Sequence, residues 1–129
     1  MNELTYLDYS DSNLNKQDVC YCSKLVTIVL PSTITEITFE VTNSLAALQH
    51  FIILVEDPDD ITYGSIDYAW RRYGTNNAGP DAIIYVKDAD TVNRYKAHTY
   101  WSSVPNLNEN NRIRPLSELP VGVWKTGLY

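Results

Sequence analysis

The sequence predicts a mainly all-β fold, an antiparallel β-sandwich or Greek-key barrel of six to seven strands. Short runs rich in β-branched and aromatic residues recur at an irregular spacing of roughly ten residues. Clusters of Pro, Gly, Asn and Asp separate these runs, and no internal repeat is evident. A chain of 129 residues is long enough to form one domain around a single core.

The chain divides into a polar N-terminal arm over residues 1–23 and a single β domain over residues 24–129. The arm contains the turn-rich run DYSDSNLNKQD, and Tyr6 and Tyr9 are its candidate contacts with a neighbouring molecule. Cys20 and Cys22 are two residues apart, so a bond between them would be strained. Reduced thiols are expected, with pairing to a neighbouring chain as the alternative, and no zinc site is predicted.

Two strands are predicted early in the β domain. Leu25–Leu30, LVTIVL, is rich in β-branched residues, and Pro31 ends it. Glu36–Thr42, EITFEVT, alternates between polar and apolar residues, which indicates one solvated face and one buried face.

Two segments fit both helix and strand. In Ser44–Val55 a serine cap and a helical stripe favour a helix, whereas the continuous apolar run favours a buried strand. We predict a short helical turn or loop at Ser44–Leu48, followed by a strand at Gln49–Glu56. Ile61–Tyr73 is equally ambiguous, and its aromatic content favours a strand.

A strand pair is predicted at Asp81–Val104. An apolar strand at Ala82–Lys87, a polar turn and a long strand at Val92–Val104 follow one another closely, so the strands are expected to pair antiparallel. The outward row of the second strand is a candidate contact surface and consists of Arg94, Lys96, His98 and Tyr100.

A long polar loop is predicted at Pro105–Pro120, before a final strand at Val121–Tyr129. A loop of this length is usually functional or packed against another molecule. Arg112 and Arg114 lie in it and are candidate contacts with an acidic patch on a second copy.

The net charge of −6 argues against nucleic acid as a partner, because phosphate backbones are bound by Lys and Arg. Residues 1–93 hold 5 Lys/Arg against 14 Asp/Glu, whereas residues 94–129 hold 5 against 2. This asymmetry favours head-to-tail contact between copies, although charge blocks this short also arise by chance. No run reaches the ~18 apolar residues of a membrane helix, and the acidic start lacks a signal sequence, so cytoplasmic synthesis is expected.

Few residues form a pattern that carries chemistry. The acidic run Glu56–Asp60 offers oxygen ligands but lacks the spacing of a calcium-binding loop, so no metal site is predicted. His50 and His98 lie on separate predicted strands, and no nucleophile motif accompanies them. We therefore expect no catalytic residues, no enzyme activity and no cofactor.

Aromatic residues offer a second interpretation, a platform that stacks on sugar rings. The alternative is that they fill the core or a subunit interface, where Tyr and Trp are also enriched. The residues concerned are Tyr63, Tyr68, Trp70, Tyr73, Tyr95, Tyr100 and Trp101.

These observations favour a non-enzymatic structural subunit that associates with copies of itself and with other assembly proteins through arms and strand edges. A virus or phage particle protein, capsid-associated, decoration, head–tail or fibre-base, suits a chain with long polar segments around a β core. The alternatives are a glycan-binding β-sandwich module and an acidic inhibitor of a nucleic-acid-binding enzyme.

Overall fold

A computed structural model describes residues 6–11, 13, 16–18, 26–38, 48–63, 83–102 and 111–124. These ranges hold eight β-strands: β1 (Tyr6–Asp8), β2 (Lys16–Asp18), β3 (Thr27–Leu30), β4 (Glu36–Thr38), β5 (His50–Ile53), β6 (Thr62–Tyr63), β7 (Ile83–Val86) and β8 (Ile113–Pro115). They also hold two α-helices, α1 (Ala89–Ala97) and α2 (Thr99–Ser102), and 3-10 turns at Pro58–Asp60 and Leu116–Glu118.

Every strand pair in the described ranges is parallel. Strands β1-β3-β5-β7-β8 form one sheet in that order, and β2-β4-β6 form the other. The first seven strands therefore alternate between the two sheets along the chain. This winding is the topology of a parallel β-solenoid, in which each turn stacks on its neighbour. The prediction of an antiparallel β-sandwich or Greek-key barrel is wrong.

The central strands show why the sheet is parallel. β3, β5 and β7 read TIVL, HFII and IIYV, and ten of their twelve residues are buried, the exceptions being the half-buried His50 and Ile83. Continuous apolar strands of this kind are typical of parallel sheets, which are covered on both faces. Other parts of the chain accordingly pack against both faces of the five-stranded sheet.

One column of apolar side chains crosses the five-stranded sheet. The strand register aligns one residue from each strand, and the last four are at most 5% exposed: Leu7, Ile28, Phe51, Ile84 and Ile113. Because side chains alternate between faces along a strand, Val29, Ile52 and Tyr85 lie on the opposite face. We call that opposite side of the sheet the outer face.

The predicted strand at Val92–Val104 is wrong over its described residues, because α1 occupies Ala89–Ala97 and α2 occupies Thr99–Ser102. Asp88 caps α1: its Oδ1 accepts hydrogen bonds from the backbone N–H and the hydroxyl of Thr91, at 2.9 and 2.8 Å. These bonds lower the pKa of Asp88. Val92 and Tyr95, one helical turn apart, are buried on the same side. The expected antiparallel hairpin is thus a strand followed by a helix.

The structure confirms some of the remaining secondary-structure predictions and contradicts others. Strands predicted at Leu25–Leu30, Gln49–Glu56 and Ala82–Lys87 are confirmed as β3, β5 and β7. The predicted loop at Pro105–Pro120 contains β8, and residues 121–124 form a turn instead of a strand.

Some predictions stay untested. Residues 1–23 contain β1 and β2, which pair with β3 and β4, and the division into arm and domain stays a prediction. The predictions for residues 44–47, for residues 64–73 and for both cysteines fall outside the described residues. Within the part of the chain that the structure describes, no helix is long and apolar enough to cross a membrane.

Candidate functional site

The outer face of the five-stranded sheet is covered by the segment that follows β8. We call residues 116–124 the strap. Three of its side chains pack with three from the sheet in one buried cluster, which consists of Val29, Ile52, Tyr85, Leu116, Leu119 and Trp124. Leu54, Ile83 and Val123 lie partly buried at its margin. The strap thus supplies the cover that the apolar outer face requires.

The strap crosses the sheet from one edge to the other. It begins next to β8, and at its far end the indole Nε1 of Trp124 donates a hydrogen bond to Asp8 Oδ2 on β1, at 3.2 Å. Five strands spaced ~4.8 Å apart are about 19 Å across. Residues 116–124 reach about 26 Å when extended. Trp124 reaches β1 although the strap contains a 3-10 turn at Leu116–Glu118 and a second turn at residues 121–122.

The strap is held at two points with an exposed turn between them. The first anchor is the pair Leu116 and Leu119, and the second is Trp124. Between them Val121 is 99% exposed and Gly122 has a φ of 90°, a conformation that favours glycine. The hydrogen bonds described for the strap's backbone are internal to it, at 3.0 and 3.2 Å. Among the residues that the structure describes, side-chain contacts and not a ladder of backbone bonds therefore attach the strap to the sheet.

Burial on this face shifts two ionisable groups. Burial raises the pKa of Tyr85, Arg114 opposes that shift, and Glu118 of the strap adds to it. Burial also lowers the pKa of His50, whose ring centroid lies 6.1 Å from that of Tyr85. The Nδ1 atom of His50 lies 3.0 Å from the hydroxyl oxygen of Thr27, its neighbour on β3. A neutral imidazole therefore fits this position better than a charged one.

His50 should make the protein less stable in mild acid. Its pKa is lowered in the folded state, so the unfolded state binds the proton more readily. The free energy of unfolding is then greatest above about pH 6.5, the ordinary pKa of histidine, and falls as the pH drops below that value. Urea unfolding of the wild type and of His50→Gln at pH 7.5 and 5.5 measures the effect.

The His50→Gln variant should lose less stability between those two pH values than the wild type. One group contributes at most about 1.4 kcal/mol per pH unit, which bounds the expected difference. Equal losses in the two proteins would show that His50 titrates alike in the folded and unfolded states.

A separate polar cleft of about 340 Å³ lies between the turn after β5 and the end of α1. Its lining consists of Asp57, Pro58, Asp59, Arg94, Ala97, His98 and Thr99. Both flanking segments follow the carboxyl ends of neighbouring parallel strands, β5 and β7. Ligands of open parallel sheets bind at such ends, which makes this cleft the second candidate site.

The side chain of His98 is engaged at both ring nitrogens. Nδ1 accepts a hydrogen bond from the backbone N–H of Tyr100 at 3.1 Å, and Nε2 lies 3.1 Å from Asp59 Oδ1. An accepting Nδ1 requires the proton to be on Nε2, which then donates to the carboxylate. A general base needs an unoccupied nitrogen that faces substrate, so this geometry suits a structural link better than proton transfer.

Other bonds around the cleft also join α1 to the segment after β5. The hydroxyl of Tyr95 donates to the carbonyl oxygen of Val55 at 2.8 Å, and Arg94 donates to that of Glu56 at 3.0 Å. The Glu56 carboxylate pairs with Lys87 at 3.0 Å, and this bond raises the pKa of Lys87. The cleft thus lies where side chains of α1 bond to the backbone of the segment that follows β5.

The acidic run beside the cleft has local partners. Asp57 Oδ1 caps the 3-10 turn at Pro58–Asp60 by accepting from the backbone N–H of Asp59, at 2.9 Å. Across the described ranges, no three His, Cys, Asp or Glu side chains are grouped to hold a metal ion.

The predicted outward row on Val92–Val104 is not one surface. Because α1 turns about 100° per residue, positions two apart point in different directions. Arg94 and His98 line the cleft, and Lys96 is half-buried with Nζ 3.5 Å from Asn111 Oδ1. Tyr100 is 6% exposed and packs edge-on against Trp101, with ring centroids 4.6 Å apart.

The four other predicted contact residues lie at opposite edges of the five-stranded sheet. Tyr6 is on β1 and 39% exposed, and Tyr9 follows β1 and is half-buried. Arg112 precedes β8 and is 9% exposed, whereas Arg114 on β8 donates to the carbonyl oxygen of Asn111 at 2.9 Å. The structure therefore does not bring the predicted contact residues together.

The aromatic platform predicted for glycans is wrong for three of its members. Tyr95, Tyr100 and Trp101 are buried, at 0, 6 and 0% exposure, so they cannot stack on a sugar. They form part of the packing of α1 and α2, with Tyr95 and Trp101 centroids 6.0 Å apart. The side chain of Tyr63 and the residues Tyr68, Trp70 and Tyr73 fall outside what the structure describes.

Fold and site together define a class: two parallel sheets wound from alternating strands, in which α1 follows β7 and the segment after β8 covers an apolar sheet face. Comparison with protein-family models, with curated protein sequences and with solved structures gives no match.

Sequence reasoning missed the strap and the outer face. Leu116 and Leu119, three residues apart, and Trp124 formed an apolar signal inside segments that we assigned to a polar loop and a final strand. Their partner surface is not recognisable locally, because Asp8 and Trp124 are 116 residues apart.

Proposed function

We propose that this protein is a non-enzymatic assembly module, which joins protein subunits through the outer face of its five-stranded sheet. One observation carries the proposal: the strap packs on the outer face through Leu116, Leu119 and Trp124, and Trp124 is also hydrogen-bonded to Asp8 at the far edge of the sheet. Trp and Tyr are enriched at the centres of protein interfaces, where they form the strongest contacts. That the assembly is a virus particle stays a prediction from the sequence.

The geometry of the cleft favours binding over catalysis as well. His98 is held between a backbone N–H and Asp59, and Arg94 is bonded to a backbone carbonyl. These contacts are of the kind that fixes a helix to a sheet. An assembly module benefits from such rigidity, because a preorganised surface loses less entropy when it binds.

Association of the purified protein tests the proposal. We expect the molar mass from size-exclusion chromatography with light scattering to rise as the concentration is raised from micromolar to millimolar. A protein that stays strictly monomeric over this range would contradict self-assembly through this face.

A further inference from the structure

We infer that the outer face is a peptide-binding groove, and that its occupant in trans is the strap of a second copy of this chain. This inference rests on the proposed function and names the partner. In the folded chain the strap fills the groove in cis, so the structure itself shows one sequence, LSELPVGVW, that is complementary to the groove.

The way in which the strap is attached makes exchange between copies feasible. The described hydrogen bonds of its backbone are internal, so its departure breaks no ladder bond between the described residues of strap and sheet. Its exposed middle at Val121 and Gly122 separates the two anchors, so each can leave the sheet in turn. The hinge lies at the end of β8, where Pro115 and Leu116 join strand to strap.

The chemistry of the groove selects for a strap-like ligand. The apolar floor of Val29, Ile52 and Tyr85 accepts the two leucines and the indole ring. At the β1 edge, the carboxylate of Asp8 accepts the indole N–H of Trp124 at 3.2 Å. When a strap leaves its own sheet, it uncovers the surface that a second copy's strap would fill, so two copies can exchange straps symmetrically.

A labelled peptide tests the groove separately from assembly. The probe is a fluorescein-labelled peptide of residues 115–124, titrated with full-length protein and followed by fluorescence anisotropy. The full-length variant L119A/W124A weakens its own strap and should bind the peptide saturably. Wild-type protein should bind it at least ~10-fold more weakly, because its tethered strap competes at an effective concentration near millimolar. A peptide with Trp124→Ala should also lose at least ~10-fold in affinity.

Controls separate the outcomes. Near-ultraviolet circular dichroism of the buried Trp101 environment reports whether the variant is folded, and Val121→Ala should bind like the wild type. If the double variant does not fold, Leu119→Ala alone replaces it in the titration. Its affinity for the peptide should lie between that of the wild type and that expected for a folded double variant. The inference of a peptide-binding groove would be wrong if the wild type and a folded strap variant bound the labelled peptide equally, or if neither bound it. Concentration-dependent association without peptide binding would leave the assembly function standing and exclude strap exchange.

Discussion

Replacing Phe51 by alanine should lower the free energy of unfolding by about 3–5 kcal/mol, the usual cost of removing a buried aromatic ring. Phe51 is 0% exposed on β5, the middle strand of the five-stranded sheet. The register places it between Ile28 and Ile84, so its loss leaves a cavity in the centre of the buried column. Urea unfolding followed by circular dichroism measures the change.

Two matched variants calibrate the Phe51 result. Phe51→Leu keeps most of the apolar volume, so its cost should be no more than about 1.5 kcal/mol. Val121→Ala removes two methyl groups from a side chain that is 99% exposed and should change stability by less than about 0.5 kcal/mol. A cost below about 1 kcal/mol for Phe51→Ala would be inconsistent with a central position for β5.

Replacing Trp124 by alanine should lower the free energy of unfolding by about 3 kcal/mol, the lower end of the range for a buried tryptophan. Trp124 lies at the end of the strap. Its replacement therefore lets the strap detach from the sheet before the two sheets unfold. Its side chain is 9% exposed and hydrogen-bonded to Asp8, so the substitution removes the buried packing and the hydrogen bond together. Chemical denaturation gives the total loss.

A second measurement identifies what Trp124→Ala does. Burial raises the pKa of Tyr85 on the outer face. Release of the strap exposes that phenol, so its pKa should fall towards about 10, the ordinary value for tyrosine. Titration of Tyr85 in ring-labelled protein by NMR measures this shift, with Asp8→Asn as a control that retains an oxygen acceptor for the indole. An unchanged Tyr85 pKa in the folded variant would mean that the strap is not what covers the face.

The repeat was present in the sequence but concealed by uneven spacing. LTYLDY, LVTIVL, LQHFII and DAIIYV share apolar residues at their fourth position, and the register stacks those four residues. Successive aligned residues Leu7, Ile28, Phe51 and Ile84 are 21, 23 and 33 positions apart. Such variable turns of a solenoid are hard to recognise when repeats are sought at a fixed period.

The helix α1 shows how a local signal can be misjudged. Asp88 and Thr91 formed a capping pattern, and Val92 and Tyr95 had helical spacing. Alternating residues in the same stretch also fit a two-faced strand, and we predict that strand from the sequence. The helix forms because its buried side packs near β8, a contact with a strand some 20 residues further along the chain.

The sequence by itself determined where the apolar strands β3, β5 and β7 lie, because their β-branched runs and flanking turns act over a few residues. It also determined that the chain is acidic. Only the tertiary structure decided that these strands pair in parallel, and that the strap covers the outer face. Both depend on contacts between distant segments, such as Asp8 with Trp124, and local periodicity carries no information about which segment covers which face.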